Sequence, residues 1–328
     1  MDIVTLGELI LDMFASETGK DFNSVSAFIP VAGGAPANVA VAAARLGAKS
    51  AFIGKVGEDA FGRRLESVLK GYGVETRAMR FDRKHRTTLN FMTIPDPNHT
   101  EMLFYRNPGA DMLLAPDELD QRLLASTALY HFGSVSLAVE PCRSAALEGA
   151  AFSRDQGALV SFDVNYRPGL WDSESRAKAE INAALSRADI VKVNEVELKL
   201  LAETDDAPEG CARILEAGPT LCVATLGPDG GAWAARGGGG SGTVPGFSVE
   251  VVETTGCGDA FMAALLVRLL ASLPAGSAQR RADLGRLSPE QLSEALRWAN
   301  AAGALTARKK GVMTALPDAQ EVRQLVGG

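Results

Sequence analysis

The sequence has few cysteines, and their spacing does not suit a metal site or a disulfide framework. Four cysteines occur in 328 residues, none in a C-x-x-C pair and none with a histidine close enough to suggest zinc. Such sparse thiols are typical of a reduced, cytosolic protein. Acidic side chains at Asp2, Glu8 and Asp12 argue against a signal peptide at the beginning of the sequence. We therefore expect a cytoplasmic protein.

The sequence also lacks an excess of positive charge and a long hydrophobic run. Its 33 Lys and Arg residues are outnumbered by 40 Asp and Glu residues, which gives a formal net charge of −7 and argues against a nucleic-acid partner. The longest apolar stretch, residues 260–270, contains Arg268 and is too short to span a bilayer. Hydrophobic residues make up 46% of the chain, which is enough for a buried core. We expect neither a nucleic-acid nor a membrane partner.

Short apolar segments alternate with longer helical patterns along most of the chain. Strands are predicted at residues 3–6, 51–54, 129–132, 159–163, 190–193 and 222–226. Helices are predicted at residues 36–46, 60–70 and 141–155. This alternation is typical of a parallel sheet that is covered by helices on both faces. We predict one doubly wound α/β domain over residues 1–328, with a mostly parallel sheet.

One region departs from this alternation and predicts a small β lid. Residues 87–94 and 101–106 alternate apolar and polar side chains on either side of the turn-forming residues 95–98. This is the pattern of a β-hairpin, to which residues near 12–30 can add strands. We predict a lid formed by about residues 10–32 and 86–110. An exposed sheet edge needs cover, so a homodimer through the lid is a further expectation.

The strongest candidate for chemistry is a glycine-rich turn that leads into a helix at residues 254–259 (Thr-Thr-Gly-Cys-Gly-Asp). The backbone N–H groups of Gly256, Cys257 and Gly258 would lie at the positive end of that helix, where they can bind an anion. Asp259 lies in the first turn and can accept a proton from an attacking hydroxyl. The residues alone leave open an alternative in which Asp259 only caps the helix and the glycines form a tight turn.

A second glycine-rich segment covers residues 31–38 (Val-Ala-Gly-Gly-Ala-Pro-Ala-Asn). Gly33 and Gly34 allow a ligand to approach the backbone, and Asn38 can hydrogen-bond a sugar hydroxyl. A plain helix start, with Pro36 in its first turn, is the alternative. The chain contains neither the P-loop pattern G-x-x-x-x-G-K-[ST] nor the dinucleotide-binding fingerprint after its first strand. The sequence therefore argues against a P-loop NTPase and against a typical dinucleotide-binding enzyme.

These two segments together resemble the two signatures of the ribokinase-like (phosphofructokinase-B) sugar kinases. Residues 54–62 (Gly-Lys-Val-Gly-Glu-Asp-Ala-Phe-Gly) match a third motif of the family, and the similarity covers essentially the whole chain. Residues 45–54, 104–112 and 130–144 look most similar to fructokinases. The resemblance implies a ribokinase-like fold and the ATP-dependent phosphorylation of a sugar's primary hydroxyl. Its first candidate reaction converts D-fructose to fructose 6-phosphate.

The resemblance also implies roles for individual residues on the sugar side. Asp259 would be the general base, and Gly256, Cys257 and Gly258 would form the anion hole for the transferred phosphoryl group. The sugar contacts implied by matching positions are Asp12, Gly33, Gly34, Asn38 and Arg106. Asn165 and Arg167 follow a strand end, where α/β sheets bind ligands. For both arginines, a surface salt bridge is the alternative.

On the nucleotide side, the resemblance implies ATP and Mg²⁺ as cofactors. The matching positions are Asn194, Glu197, Thr225, Gly227, Gly230 and Asn300. For Asn300, which lies on the apolar face of a predicted helix, the alternative is a side chain satisfied by neighbouring backbone groups. Glu197 would act on Mg²⁺ through water, while a Glu that only favours the helix dipole is the alternative. The family usually has Asp where Glu253 stands, near a monovalent cation. K⁺ is therefore a further candidate, at a site that the longer side chain of Glu253 changes.

Other functions remain open from the sequence. A kinase for 2-keto-3-deoxygluconate would need a cation beside the substrate carboxylate, and Arg106 and Arg167 are both candidates. A ribokinase is a further alternative within the same family. A catalytically silent, sugar-sensing or structural member is an alternative of a different class. The presence of Asp259 and of the complete glycine loop argues against a silent member.

Overall fold

A mostly parallel sheet of eight strands forms the centre of the molecule. The computed structural model describes residues 1–96, 99–274, 276 and 279–327. The strands of this part of the chain are β1 (Ile3–Leu6), β2 (Ile10–Ala15), β3 (Phe28–Gly33), β4 (Ser50–Ile53), β5 (Lys55–Gly57), β6 (Arg80–Asp82), β7 (Leu89–Asp96), β8 (His99–Tyr105), β9 (Leu129–Gly133), β10 (Leu159–Asp163), β11 (Ile190–Asn194), β12 (Leu221–Thr225), β13 (Gly231–Ala235) and β14 (Gly240–Val244). The order in the large sheet is β14-β13-β12-β11-β10-β9-β1-β4. Its strands are parallel from β4 to β12, and β13 and β14 form an antiparallel edge.

Helices cover both faces of this sheet. Those of the described chain are α1 (Ala35–Arg45), α2 (Ala60–Gly71), α3 (Gln121–Ala125), α4 (Cys142–Asp155), α5 (Glu174–Leu185), α6 (Glu195–Ala202), α7 (Ala207–Leu215), α8 (Cys257–Ser272), α9 (Arg280–Leu284), α10 (Pro289–Ala307) and α11 (Ala319–Gly327). Successive strand residues alternate between two hydrophobic cores, so that Ile3 packs in one core and Val4 in the other. The first core contains α1, α8 and α10, and the second contains α4, α5 and α7. Burial on both faces explains why the strands are nearly continuous apolar runs.

The helices begin at residues whose side chains satisfy free backbone N–H groups. Asp59 precedes α2 and accepts a hydrogen bond from Gly62 N–H at 2.8 Å. Ser288 and Gln291 form a reciprocal capping box at the beginning of α10, where Pro289 takes the first helical position. These helix N-termini depend on neighbouring residues and can therefore be predicted from the sequence. The beginnings of α1, α4, α8 and α9 differ, because no side chain caps them.

A separate four-stranded sheet, with the order β3-β2-β7-β8, lies beside the large one. Strand β2 pairs antiparallel with β3 and parallel with β7, and β7 pairs antiparallel with β8. Aromatic side chains pack on this sheet, where the Phe28 and Phe91 rings are 5.0 Å apart and the Phe91 and Tyr105 rings are 5.4 Å apart. A third sheet contains only β5 and β6.

The predicted fold class is confirmed. Strands β1 and β10 have the predicted bounds, and the other predicted strands of the large sheet shift by one residue at one or both ends. The predicted hairpin is present as β7 and β8, but its turn residues Pro97 and Asn98 lie outside the described residues. No helix in the described part of the chain has the length and hydropathy needed to cross a membrane.

Candidate active site

Two cavities open at the carboxyl ends of the parallel strands and meet at the N-terminus of α8. The larger cavity has a volume of about 600 Å³, and the smaller one has a volume of about 380 Å³. Thr225, Thr254 and Gly258 line both cavities. Asp163 and Asn194, the last residues of β10 and β11, also line the larger one. A ligand in one cavity would therefore meet a ligand in the other at the beginning of α8.

The beginning of α8 exposes backbone donors to both cavities. Gly256 has a φ of 84°, a left-handed conformation that glycine adopts without strain. The Cys257 N–H donates to Thr254 O at 3.2 Å, whereas the N–H groups of Gly258 and Asp259 make no hydrogen bond within the described chain. The donors at this helix end are therefore available to an anion. The free N–H of Asp259 adds to the set predicted from the sequence, and the N–H of Cys257 is already engaged.

Asp259 lies in the first turn of α8 and faces the larger cavity. The Asn38 Nδ2 donates a hydrogen bond of 2.8 Å to the Asp259 Oδ2. Water reaches part of the side chain, but protein surrounds the carboxyl group on most sides. This burial, with a smaller contribution from Asp163, raises the pKa of Asp259 to about 7, against the opposing effects of Asn38, Lys192 and Arg167. A carboxyl group with this pKa can accept a proton and release it near neutral pH.

Asp12 lies on β2 and presents a second carboxylate to the larger cavity. Its Oδ1 accepts a hydrogen bond of 2.8 Å from the Asn90 Nδ2, and burial raises the pKa of Asp12 to about 6. A Cβ on Gly33 would lie only 1.9 Å from the Asp12 Oδ2, so Gly33 leaves room for this carboxylate although it does not line the cavity. Gly34 does line it, with a φ of 108° and with space for a Cβ blocked by Glu8 O at 2.4 Å.

The larger cavity also contains two arginines in different environments. Arg106 is nearly buried, and its guanidinium forms an ion pair with Asp111 at 2.6 Å. Arg167 is exposed, makes no ion pair within the described chain, and donates to Tyr166 O at 3.3 Å. Asn165, two residues before Arg167 on the loop after β10, has a left-handed φ of 35°. Both predicted arginines therefore lie at the site, but only Arg167 carries an uncompensated charge.

Lys192 and Asp163 form a buried ion pair that was not predicted from the sequence. The Lys192 Nζ lies 2.9 and 3.0 Å from the two carboxylate oxygens of Asp163, and both side chains line the larger cavity. Burial lowers the pKa of Lys192, but the charges of Asp163 and Glu197 outweigh this effect and raise it overall. The signal in the sequence was a lysine within the apolar strand Ile-Val-Lys-Val-Asn, because a buried lysine needs a partner.

Glu8 is a second residue that the sequence did not single out as a site residue. Its Oε1 accepts a hydrogen bond of 2.9 Å from the Ala35 N–H, whereas its Oε2 is buried without a partner in the described chain. The side chain lines the larger cavity, and burial raises its pKa to about 7. Glu8 therefore places a carboxyl group in the wall of the cavity, with one of its oxygens enclosed by protein.

Asn194 and Glu197 form a capping box at the beginning of α6. The Asn194 Oδ1 accepts from Glu197 N–H at 2.9 Å, and the Glu197 Oε2 accepts from Asn194 N–H at 2.9 Å. The other oxygen of Glu197 accepts from Tyr166 N–H at 2.7 Å. Asn194 lines the larger cavity, whereas Glu197 is buried and lines neither. Within the described residues, no three His, Cys, Asp or Glu side chains form a cluster that can hold a metal ion.

The smaller cavity is lined mostly by apolar groups and by backbone. Thr225, Gly227, Gly230 and Asn300, four of the positions predicted to contact a nucleotide, all line it. The Asn300 Nδ2 donates hydrogen bonds to Val244 O at 3.1 Å and to Pro245 O at 3.2 Å. These contacts fix the Asn300 side chain beside the C-terminal end of β14.

Glu253 lies beside the beginning of α8. Its Oε2 accepts a hydrogen bond of 3.0 Å from the Gly311 N–H. Its Oε1 is buried and has no hydrogen-bond partner in the described chain. A buried oxygen of this kind is a potential cation ligand, since unpaired buried polar atoms are costly.

Comparison with known proteins gives a consistent result along the whole chain. The sequence pattern that defines the pfkB family carbohydrate kinases matches residues 1–319. Fructokinase-1 of Zea mays is 42% identical over 327 residues, which cover 99% of this chain and 97% of that protein. Fructokinase-2 of Solanum lycopersicum is 40% identical over 328 residues, which cover 99% of this chain and 96% of that protein.

Solved structures give the same result at the level of the fold. The crystal structure of a fructokinase with bound ATP from Xylella fastidiosa superposes with a TM-score of 0.89 at 32% identity, covering 99% of this chain and 98% of that one. The crystal structure of a fructokinase from Vibrio cholerae O395 contains fructose, ADP and calcium ion. It superposes with a TM-score of 0.84 at 32% identity and covers 99% of each chain.

The first prediction concerns the buried pair of Lys192 and Asp163. Lys192→Met leaves the Asp163 carboxylate buried without its partner, so we expect the free energy of unfolding to fall by roughly 3–5 kcal/mol. Urea denaturation followed by circular dichroism measures this change. In the double variant Lys192→Met/Asp163→Leu, which removes both charges, we expect most of the stability to return. Equal stability of the single variant and the wild type would contradict a buried, interacting pair.

Proposed function

The chain belongs to the pfkB family of carbohydrate kinases, and we propose that it is an ATP-dependent fructokinase that converts D-fructose to fructose 6-phosphate. The observation that carries this proposal is the meeting of two cavities at the uncapped N-terminus of α8, beside Asp259. Fructokinases are also 40–42% identical to the chain over nearly its full length. A phosphoryl transfer needs two ligand sites that share one reaction centre, and this arrangement supplies them.

Asp259 is the general base in the proposed mechanism. Its free carboxylate oxygen accepts the proton of the primary hydroxyl as the hydroxyl oxygen attacks the γ-phosphorus, and the bond from phosphorus to the β,γ-bridging oxygen breaks to leave ADP. The free N–H groups of Gly258 and Asp259 stabilise the negative charge on the equatorial phosphoryl oxygens. Positioning and electrostatic stabilisation provide most of the catalysis in such loose transition states.

The larger cavity is the proposed sugar site. Asp12 accepts hydrogen bonds from sugar hydroxyls, and Asn38 exchanges hydrogen bonds with them. Gly34 lets the sugar approach the backbone, and Gly33 leaves room for the Asp12 carboxylate. Arg106 forms part of the wall. Asn165 and Arg167 lie on the loop after β10, where the exposed charge of Arg167 suits the phosphoryl group that passes between the cavities.

The smaller cavity is the proposed ATP site. Its apolar surface suits the adenine ring, with Thr225, Gly227 and Gly230 along the nucleotide and Asn300 near the base. Asn194 lies on the phosphate side, between the two cavities and the beginning of α6.

Mg²⁺ and K⁺ are the proposed ions. Mg²⁺ bound to ATP would neutralise the phosphate charge. Both oxygens of Glu197 already accept backbone hydrogen bonds, so Glu197 fits an influence on Mg²⁺ through water and does not fit a direct ligand. The unpartnered Glu253 Oε1 fits a ligand of a monovalent cation. An ion there would add positive charge close to the beginning of α8.

The small four-stranded sheet is the proposed lid of one domain over residues 1–328. Its four strands lie within the predicted segments 10–32 and 86–110, apart from Gly33 at the end of β3, and its residues Asp12, Asn90 and Phe104 line the larger cavity. Large apolar side chains remain exposed on it, namely Ile29, Met102, Leu103 and Tyr105. A homodimer through the lid would bury them, and the closed lid would exclude water from the phosphoryl group.

A kinase for an acidic sugar, such as 2-keto-3-deoxygluconate, is the second candidate. The observation that favours it is the presence of Arg106 and Arg167 in the wall of the same cavity. A ribokinase would use the same base and the same glycine loop. A catalytically silent sugar sensor would not need Asp259 with a free carboxylate oxygen beside free helix donors.

The second prediction tests the base. Asp259→Asn keeps the size of the side chain but cannot accept the proton, so we expect kcat for fructose to fall by roughly a hundred- to ten-thousand-fold. Fructose binding, measured by calorimetry without ATP, is expected to stay within a few-fold of the wild type. Asp155→Asn, at an exposed position on α4, is the matched control. Turnover of Asp259→Asn near the wild-type rate would show that Asp259 is not the base.

The third prediction concerns pH. Because the base must be deprotonated and the pKa of Asp259 is raised to about 7, we expect kcat/KM for fructose to rise with pH and level off above that value. The hydrogen bond from Asn38 lowers the pKa of Asp259. Asn38→Ala therefore moves the rise to higher pH. A profile that is flat from pH 5 to 8, or an Asn38→Ala profile that moves to lower pH, would contradict this assignment.

A further inference from the structure

One wall of the larger cavity contains an arginine whose charge is already neutralised. The Arg106 Nε and Nη2 lie 2.8 and 2.6 Å from the same Asp111 oxygen, Oδ2. Only 7% of the Arg106 side chain and 1% of the Asp111 side chain are exposed. Their charges, +1 and −1, sum to zero. Arg106 thus presents little net positive charge to a ligand, although it lines the cavity.

The packing around Asp111 keeps this pair together. Thr88 Oγ1 donates a hydrogen bond of 2.5 Å to the other oxygen of Asp111, Oδ1. Gly109 lies so close that a Cβ there would be 1.9 Å from the Thr88 Oγ1 and 2.6 Å from the Asp111 Oδ1. Asp111 itself does not line the cavity. It therefore acts on any ligand through Arg106.

Two carboxyl groups lie near this wall, whereas the other arginine of the cavity, Arg167, lies on the loop after β10. Glu8 lines the cavity and interacts electrostatically with both Arg106 and Asp111. Its Oε2 is enclosed by protein and has no hydrogen-bond partner in the described chain. Asp12 adds another carboxyl group to the same cavity. A hydroxyl group fits these acceptors, whereas a ligand carboxylate would meet like charge.

We propose that Asp111 determines the substrate class, because by pairing with Arg106 it makes the cavity select a neutral polyhydroxy sugar over a sugar acid. This inference rests on the proposed function and names the residue that sets its specificity. An unpaired arginine binds a carboxylate through two parallel hydrogen bonds, which are among the strongest polar contacts in proteins. Asp111 occupies the Nε–Nη2 edge of the Arg106 guanidinium in the free protein and offsets its charge.

The test is the fourth prediction, and it compares a neutral ligand with an acidic one. Asp111→Asn keeps the shape of the side chain but leaves Arg106 charged and unpaired. Calorimetry without nucleotide at pH 7.5 gives the dissociation constants of fructose and 2-keto-3-deoxygluconate. We expect the ratio of the two to shift towards the acid by roughly 10- to 100-fold. Damage to the fold alone would weaken both ligands and leave their ratio unchanged.

Two further variants assign the effect to Arg106. Arg106→Met in the Asp111→Asn background removes the freed charge, so the shift towards the acid should disappear. Glu118→Gln is the matched control, because Glu118 also forms a partly buried ion pair, with Lys55 at 2.8 Å, but lies outside the cavity. It should leave the ratio at the wild-type value. If Asp111→Asn does not fold, Asp111→Ser gives the same change of charge with a smaller side chain.

The outcomes separate this inference from the proposed function. An unchanged ratio in folded Asp111→Asn or Asp111→Ser would overturn the role of Asp111, even if the wild type phosphorylates fructose. A ratio that also shifts in Glu118→Gln would overturn it as well. A wild type that binds the acid more tightly than fructose would contradict both the inference and the proposed substrate. A wild type that binds fructose without phosphorylating it would contradict the proposed function alone.

Discussion

The site depends on the burial of one helix, α8, whose first turn lies between the two cavities. Residues from Ala260 to Leu266 are all buried, and they belong to the core that also contains α1 and α10. A helix held in this way cannot shift without opening that core, because protein interiors are close-packed. Its N-terminal donors and Asp259 are therefore fixed relative to the strand ends. The position of the proposed base therefore follows from the packing of seven consecutive buried residues, 260–266, which come directly after it.

This arrangement buries several carboxyl groups around the cavity, which disfavours their charged forms. Burial raises the pKa of Glu8 and Asp259 to about 7 and that of Asp12 to about 6. These groups bind protons more tightly in the folded state than in the unfolded state. Their contribution to stability is therefore present at low pH and lost as pH rises through those values. Lys192 offsets part of the negative charge, because it lies beside Asp163 and lowers the pKa of Asp259.

The sequence predicted the large sheet well because each central strand is a short apolar run between helical patterns. It also identified both glycine segments, whose conformational requirements are local. It did not identify the pairing of Arg106 with Asp111, although they are five residues apart, since that contact depends on how the segment after β8 folds back. Nor did it reveal that Gly33 leaves room for the Asp12 carboxylate, a contact between two neighbouring strands of the small sheet. Such contacts depend on the tertiary structure, and the separation of two residues in the sequence does not show whether their side chains meet.

The measurement that tests the account most directly is ADP production from Mg²⁺-ATP with fructose, ribose, 2-keto-3-deoxygluconate, glucose, tagatose and adenosine. The account predicts a clear preference for fructose in kcat/KM, since the sugar cavity offers hydroxyl acceptors and an arginine that is already paired. A preference for 2-keto-3-deoxygluconate would contradict the proposed substrate while leaving Asp259 as the base. No turnover of any of these compounds by the folded protein would contradict the assignment as a kinase.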